Sequence, residues 1–134
     1  MLRITHHALA GMIGHAYDGL PYEACGLLVG SLADATAPQF VPCRNAAESS
    51  LVYTIDPRDH LRADREAQDA GLEILGVVHS HTHTEPYPSP TDVAQAPDPE
   101  WHYVIVSLRD EEPRVRSYRI VDGGITEEPV LVDD

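Results

Sequence analysis

Apolar positions along the chain fall into two rhythms. From His6 to Gly19 they recur at helical spacing: Leu9, Met12, Ile13 and Ala16 follow the i, i+3, i+4, i+7 pattern of one buried face. Thr5 supplies an N-cap hydroxyl, and Gly19 and Pro21 end the helix. Cys25 to Ser31 (CGLLVGS) is a short apolar run that reads as a strand. Further strands are predicted near Gln39 to Cys43 and near Leu51 to Ile55, both rich in strand-forming residues. Asp56-Pro57 combines a capping aspartate with a first-turn proline, so a helix should run from there to about Ala70 and stop at Gly71. Its only apolar side is Leu61, Ala63, Ala67 and Ala70. Glu73 to Ser80 (EILGVVHS) reads as a buried strand, and Thr82 to Pro88, with two prolines and no period, as a loop. Ser89-Pro90 opens a short helix. Strands are expected at His102 to Leu108, Val115 to Val121 and Ile125 to Val132, with Asp122-Gly123-Gly124 as the hairpin turn between the last two.

This order of elements predicts an α+β domain in α/β/α layers, with a single mixed, largely antiparallel sheet flanked by helices. A length of 134 residues fits one domain spanning 1–134 and buries an apolar core without disulfide staples. The formal net charge of −13 repels nucleic-acid phosphates and anionic membrane surfaces, so neither is an expected partner. No stretch is apolar enough to span a membrane, and Met1 to Ala10 lacks the apolar core of a secretion signal, so the expected location is cytoplasmic. Cys25 and Cys43 form no CxxC pair and read as two buried thiols.

The chemistry is concentrated between His79 and Asp92. His79 and His81 stand two apart at the end of a strand, where side chains at i and i+2 share a face about 6–7 Å apart at the backbone. Two imidazoles so placed can converge on one metal ion, and Asp92 can return from the next helix as a third ligand. Three protein ligands leave the fourth tetrahedral position to water, as catalytic zinc sites do. Two nitrogens and one oxygen suit zinc best and also admit iron, cobalt or nickel. A plainer reading competes: Ser89 to Asp92 also fits a capping box with proline in the first turn, and the histidines a solvated strand end.

His-x-His, seven residues, then Ser-x-x-Asp resembles the signature of the JAMM (MPN+) metalloproteases, carried here by His79, His81, Ser89 and Asp92. That family also has a glutamate at the start of an early strand. Glu23, in Pro21-Tyr22-Glu23-Ala24-Cys25-Gly26-Leu27-Leu28-Val29-Gly30, resembles that element. The resemblance implies the JAMM/MPN (cytidine-deaminase-like) fold, with zinc (Zn²⁺) on His79, His81 and Asp92. It implies Glu23 as the base that moves protons without binding metal, and Ser89 as donor to the oxyanion. Without it, Glu23 reads as an ordinary surface carboxylate. The stretches His79 to Asp92, His102 to Asp110 and Arg116 to Gly123 are similar to an actinobacterial branch of the family that removes cysteine from a ubiquitin-like sulfur carrier during cysteine biosynthesis. The implied partner is therefore a ubiquitin-like sulfur-carrier protein ending in Gly-Gly.

Two other readings stand beside it. One is a JAMM peptidase acting on another ubiquitin-like protein, with identical catalytic residues. The other is a metal-free MPN binding module, which the five filled positions disfavour. His83 continues the i+2 alternation but matches no ligand position of the family, and Cys25 stands two residues from Glu23 in the role of a buried thiol. Tyr53, Tyr87 and the Thr82 to Pro88 loop are candidate walls of a substrate groove.

Overall fold

Strand β4 (Glu73–His81) is buried from its second residue to its last, which its apolar run EILGVV anticipates for a strand covered on both faces. The rest of the sheet is arranged around it. The structure, a computed structural model, describes residues 1–133. The elements are β1 (Leu2–Thr5), α1 (His6–Asp18), β2 (Cys25–Ser31), β3 (Thr36–Cys43), α2 (Pro57–Asp69), β4, α3 (Pro90–Ala94), β5 (His102–Ser107), β6 (Arg114–Val121), β7 (Gly124–Glu128) and β8 (Val130–Asp133). They form one eight-stranded sheet in the order β7-β6-β5-β4-β2-β3-β1-β8. Strand β4 runs antiparallel to β2 and parallel to β5, and parallel pairs also join β1 to β3 and to β8. The remaining pairs are antiparallel. The sheet is thus mixed and mostly antiparallel, as the element order predicts.

Helix α1 covers one face, where Ala8, Met12 and Ala16 pack on Leu2, Ile4, Leu28, Leu75, Val104 and Val106. The Thr5 hydroxyl caps it by accepting from the Ala8 amide at 3.0 Å. Helix α2 covers the other face through Ala63 and Ala67 against Leu27, Val77 and Tyr103. Leu61 is half exposed and takes no part in that core. Two alanines let α2 lie close to the sheet, so the face that carries His79 is covered by small side chains. Among the described residues no helix is long and apolar enough to cross a membrane.

Three elements depart from expectation. Leu51 to Ile55 forms no strand; only Ile55 bridges, to Asn45. The backbone there is satisfied partly by a side chain, with the Thr54 carbonyl accepting from the Ala46 amide at 2.8 Å. The Asn45 amide donates to the Val52 carbonyl at 3.1 Å and its oxygen accepts from the Thr54 amide at 3.0 Å. The predicted strand Ile125 to Val132 is two strands, because Pro129 has no N–H to donate and interrupts the ladder. Its halves pair at opposite edges of the sheet, β7 on β6 and β8 on β1. Strand β1 has no counterpart in the sequence pattern; four residues running directly into a helix carry too short a period to register.

Candidate metal centre

The site grows from the C-terminal end of β4. Val77, His79 and His81 alternate onto the α2 face, so both imidazoles rise from the same side of the sheet. Residues 82–88 form no helix or strand, and α3 begins at Pro90. Ser89 and Asp92 form the reciprocal capping box: the Ser89 hydroxyl accepts from the Asp92 amide at 3.0 Å, and Asp92 Oδ2 accepts from the Ser89 amide at 2.8 Å. The plainer reading of this segment is therefore correct and does not compete with the metal reading. The cap turns the Asp92 carboxylate inward, to 3.2 Å from His79 Nε2 and 3.1 Å from His81 Nε2, while the two nitrogens are 3.1 Å apart. All three residues are buried.

This triangle is the face of a tetrahedron. Ligands about 2.0–2.1 Å from a central ion stand roughly 3.3 Å from one another. The local hydrogen bonding points the same way. His81 Nδ1 lies 2.8 Å from the Glu85 carbonyl and donates to it, so in the neutral ring the Nε2 lone pair faces the Asp92 carboxylate. A lone pair aimed at an anion is reconciled by a cation between them. Among the described residues these three are the group of histidine, cysteine and acidic side chains whose donor atoms converge, and the set is compatible with zinc.

Electrostatics follow burial. Burial raises the Asp92 carboxyl, but the two histidines beside it and the Ser89 amide outweigh it and hold the group far below the carboxylate range. Burial is the largest influence on His79 and lowers it; on His81 burial is overcome by Asp92 and the Glu85 carbonyl, and the net direction is upward.

Glu23 lies two residues before β2. Cys25 is in register with His79, and the pairing continues one step outward, with Ser80 N donating to the Ala24 carbonyl at 2.9 Å and the Ala24 amide to Ser80 Oγ at 2.7 Å. Glu23 therefore falls in line with His81. It is 5% exposed, and its Oε1 is buried with no hydrogen-bond partner. Burial pushes its pKa up to about 7, with His81 opposing and Asp92 reinforcing. A buried carboxylate oxygen without a donor lacks a water or a substrate group, so this residue also fits a hydrolytic centre.

The remaining candidates separate cleanly. His83 is exposed and bonds to Thr82 Oγ1 at 2.8 Å, outside the triangle. Cys25 and Cys43 are free, buried and pushed up to about 12 by burial, so they are inert thiols. Tyr53 stacks on His79, ring centroids 4.3 Å apart and planes 18° from parallel. With Leu27, Ile55, His60, Val77 and Trp101 it lines a cavity of about 370 Å³. Tyr87 meets Tyr118 edge-on, ring centroids 5.5 Å apart, and the Tyr118 hydroxyl donates to the Pro86 carbonyl. The Glu85 carbonyl that orients His81 has no signal in the sequence, being a backbone group.

Residues 5–121 match the family described as prokaryotic homologues of the JAB domain. The chain belongs to the JAB (JAMM/MPN+) family. Within that family it is 45% identical over 133 residues to the CysO-cysteine peptidase of Mycobacterium tuberculosis, covering 98% of this chain and 91% of that protein. The desampylase of Haloferax volcanii is 32% identical over 111 residues, 79% of this chain and 80% of that one. The solution structure of a Desulfitobacterium hafniense protein superposes with a TM-score of 0.92 at 33% identity, covering all of this chain and 94% of the other. This JAMM chain is a zinc metallopeptidase, and its fold is the mixed α+β sheet described above.

Proposed function

We propose that the domain spanning 1–134 hydrolyses the amide at the C-terminus of a ubiquitin-like sulfur-carrier protein ending in Gly-Gly and releases cysteine in the cytoplasm. The observation that carries this is the similarity to a CysO-cysteine peptidase along almost the whole of both chains. The site geometry supplies the chemistry. His79, His81 and Asp92 would hold the zinc, which lowers the pKa of its bound water from about 16 toward 7. Glu23, with its unpartnered Oε1, takes a proton from the attacking water as the oxygen adds to the amide carbon. As the C–N bond breaks, Glu23 returns that proton to the leaving amine. The Ser89 oxygen accepts from the Asp92 amide, so its own O–H is free to donate to the oxyanion. Gly-Gly carries no side chains, which suits a tail passing beside the Tyr53 ring, and the apolar cavity next to it accommodates tail residues further upstream.

A second reading has its own support: the similarity to a desampylase favours cleavage of an isopeptide bond between a ubiquitin-like modifier and a lysine. Intact-mass spectrometry separates the two. A Gly-Gly-Cys-ended carrier should lose one cysteine residue in the presence of this protein and none when a chelator is added. Release of the modifier from a lysine conjugate, with the cysteine-extended carrier left intact, would instead establish the second reading.

A further inference from the structure

The two histidines of the triangle are held differently. His81 is fixed by a hydrogen bond from Nδ1 to the Glu85 carbonyl, the usual means of orienting a metal-binding imidazole. His79 has no such bond: among the described residues its hydrogen bonds all run through Nε2, toward His81 and Asp92. Tyr53 lies flat against its ring, stacked at 4.3 Å with the planes nearly parallel, while the His81 ring meets it edge-on. Tyr53 stands on no strand or helix. It belongs to the segment between β3 and α2, and that segment is gathered by one side chain. Asn45 uses its amide and its oxygen fully: it donates to the Glu23 carbonyl at 2.9 Å and the Val52 carbonyl at 3.1 Å, and accepts from the Ala47 and Thr54 amides at 3.0 Å each. Its bonds to Val52 and Thr54 straddle Tyr53. The bond to Glu23 ties the same segment to the strand end that carries the proposed base.

We propose that Tyr53 is a positioning residue for His79, and that Asn45 is the clamp that holds Tyr53 in place and links it to Glu23. The inference rests on the reading of His79, His81 and Asp92 as the zinc site. Without the stacked ring, the His79 imidazole is restrained only through its Nε2 contacts and the edge of the His81 ring, and its rotation about χ2 is freer. Because Tyr53 also walls the apolar cavity, an occupant of that cavity packs against the group that sets a metal ligand.

Zinc affinity measured by competition with a chromogenic chelator, without substrate, tests this. Tyr53→Phe keeps the stacked ring and should bind zinc within about twofold of the parent. Tyr53→Leu removes it and should bind about tenfold more weakly, the low end of the range for loss of a group that supports a metal ligand. Asn45→Ala leaves the ring present but unclamped and should weaken zinc in the same direction. Cobalt(II) substitution adds a second readout: the visible d–d bands should be parent-like in Tyr53→Phe and altered in Tyr53→Leu. Each metal-free variant should still unfold in one cooperative transition, Asn45→Ala at a lower temperature because its hydrogen bonds are lost, which separates positioning from folding. Parent-like affinity and cobalt bands in a folded Tyr53→Leu protein would overturn the proposal while leaving the zinc site intact. A parent that binds no zinc would overturn both this proposal and the metallopeptidase mechanism.

Discussion

At the scale of single residues, the centre divides its labour between groups that hold and groups that react. Glu23→Gln keeps the shape and removes the base. Zinc content should be unchanged by elemental analysis while turnover falls by about 10²–10⁴-fold; loss of the metal in that variant would show that Glu23 is a ligand. A base works only when ionised, and burial has raised Glu23 to about 7. Activity should therefore climb as pH rises through the pKa of this group, and an acid limb in kcat/KM should be lost in the Gln variant. Ser89→Ala should retain zinc and slow the reaction by about 10²–10³-fold, together with about 1 kcal/mol lost from the cap of α3; unchanged turnover would remove Ser89 from the mechanism. His79, His81 and Asp92 are legible in the sequence because a strand end and a helix start lie close in the chain, and strand and cap geometry alone bring them together. Glu23 is not legible that way. It reaches His81 only through the pairing of β2 with β4, which no local spacing encodes, so resemblance to a family is the only signal for it.

At the scale of elements, the critical piece is β4, which must lie against β5 in parallel to set the depth of the site. Gly76 pairs with His102 across that ladder, and a Cβ built at this position would meet the His102 carbonyl oxygen at 2.3 Å. Gly76→Ala should force the two strands apart, lower stability by about 1–3 kcal/mol in urea unfolding and weaken zinc binding with it. Wild-type stability in that variant would mean that the strands can move apart without cost. The helices and most strands are legible because each carries a full period of its own: α1 with its threonine cap, α2 with Asp56-Pro57, β4 as an unbroken apolar run. The segments that depart from their pattern share one physical cause, that hydrogen bonding overrides composition. Leu51 to Ile55 has the residues of a strand, yet the Asn45 side chain takes the Val52 carbonyl and the Thr54 amide. Ile125 to Val132 has the pattern of one strand, yet Pro129 lacks the donor needed to continue it.

At the scale of the whole molecule, two clusters of buried charge tie stability to conditions. The metal triangle is one. A ligand that binds only the folded state stabilises it by about 4 kcal/mol at a thousand times its dissociation constant. A chelator should therefore lower the melting temperature of the parent, and the Asp92→Ala protein should not respond; an equal response in both would place the metal elsewhere. The second cluster surrounds Glu128, which accepts from the Met1 amine at 3.0 Å, His102 Nδ1 at 2.6 Å and Ser117 Oγ at 2.8 Å. Burial raises this carboxyl, but the three donors outweigh it and bring it down from 4.5 to about 2. A carboxyl whose folded value lies below its unfolded one stabilises the fold fully above the unfolded value and loses that contribution as pH falls toward the folded one. Glu128→Gln should then cost about 2–3 kcal/mol at pH 7. The gap between variant and parent should shrink between about pH 5 and pH 2, and a gap independent of pH would show that the pair stabilises by packing alone.

The pairing of β1 with β8 has a mechanical meaning. These strands run parallel, with Leu2 beside Val130 and Thr5 beside Asp133. Tension applied at Leu2 and at Asp133 would enter β1 at its first residue and leave β8 at its last, pulling the strands lengthwise past each other. In that geometry the bonds between them share the load and must fail together, whereas strands peeled from a single end lose their bonds in succession. Stretching across this pair of strands should therefore meet its greatest resistance at the outset, before β4 and the histidines it carries are disturbed.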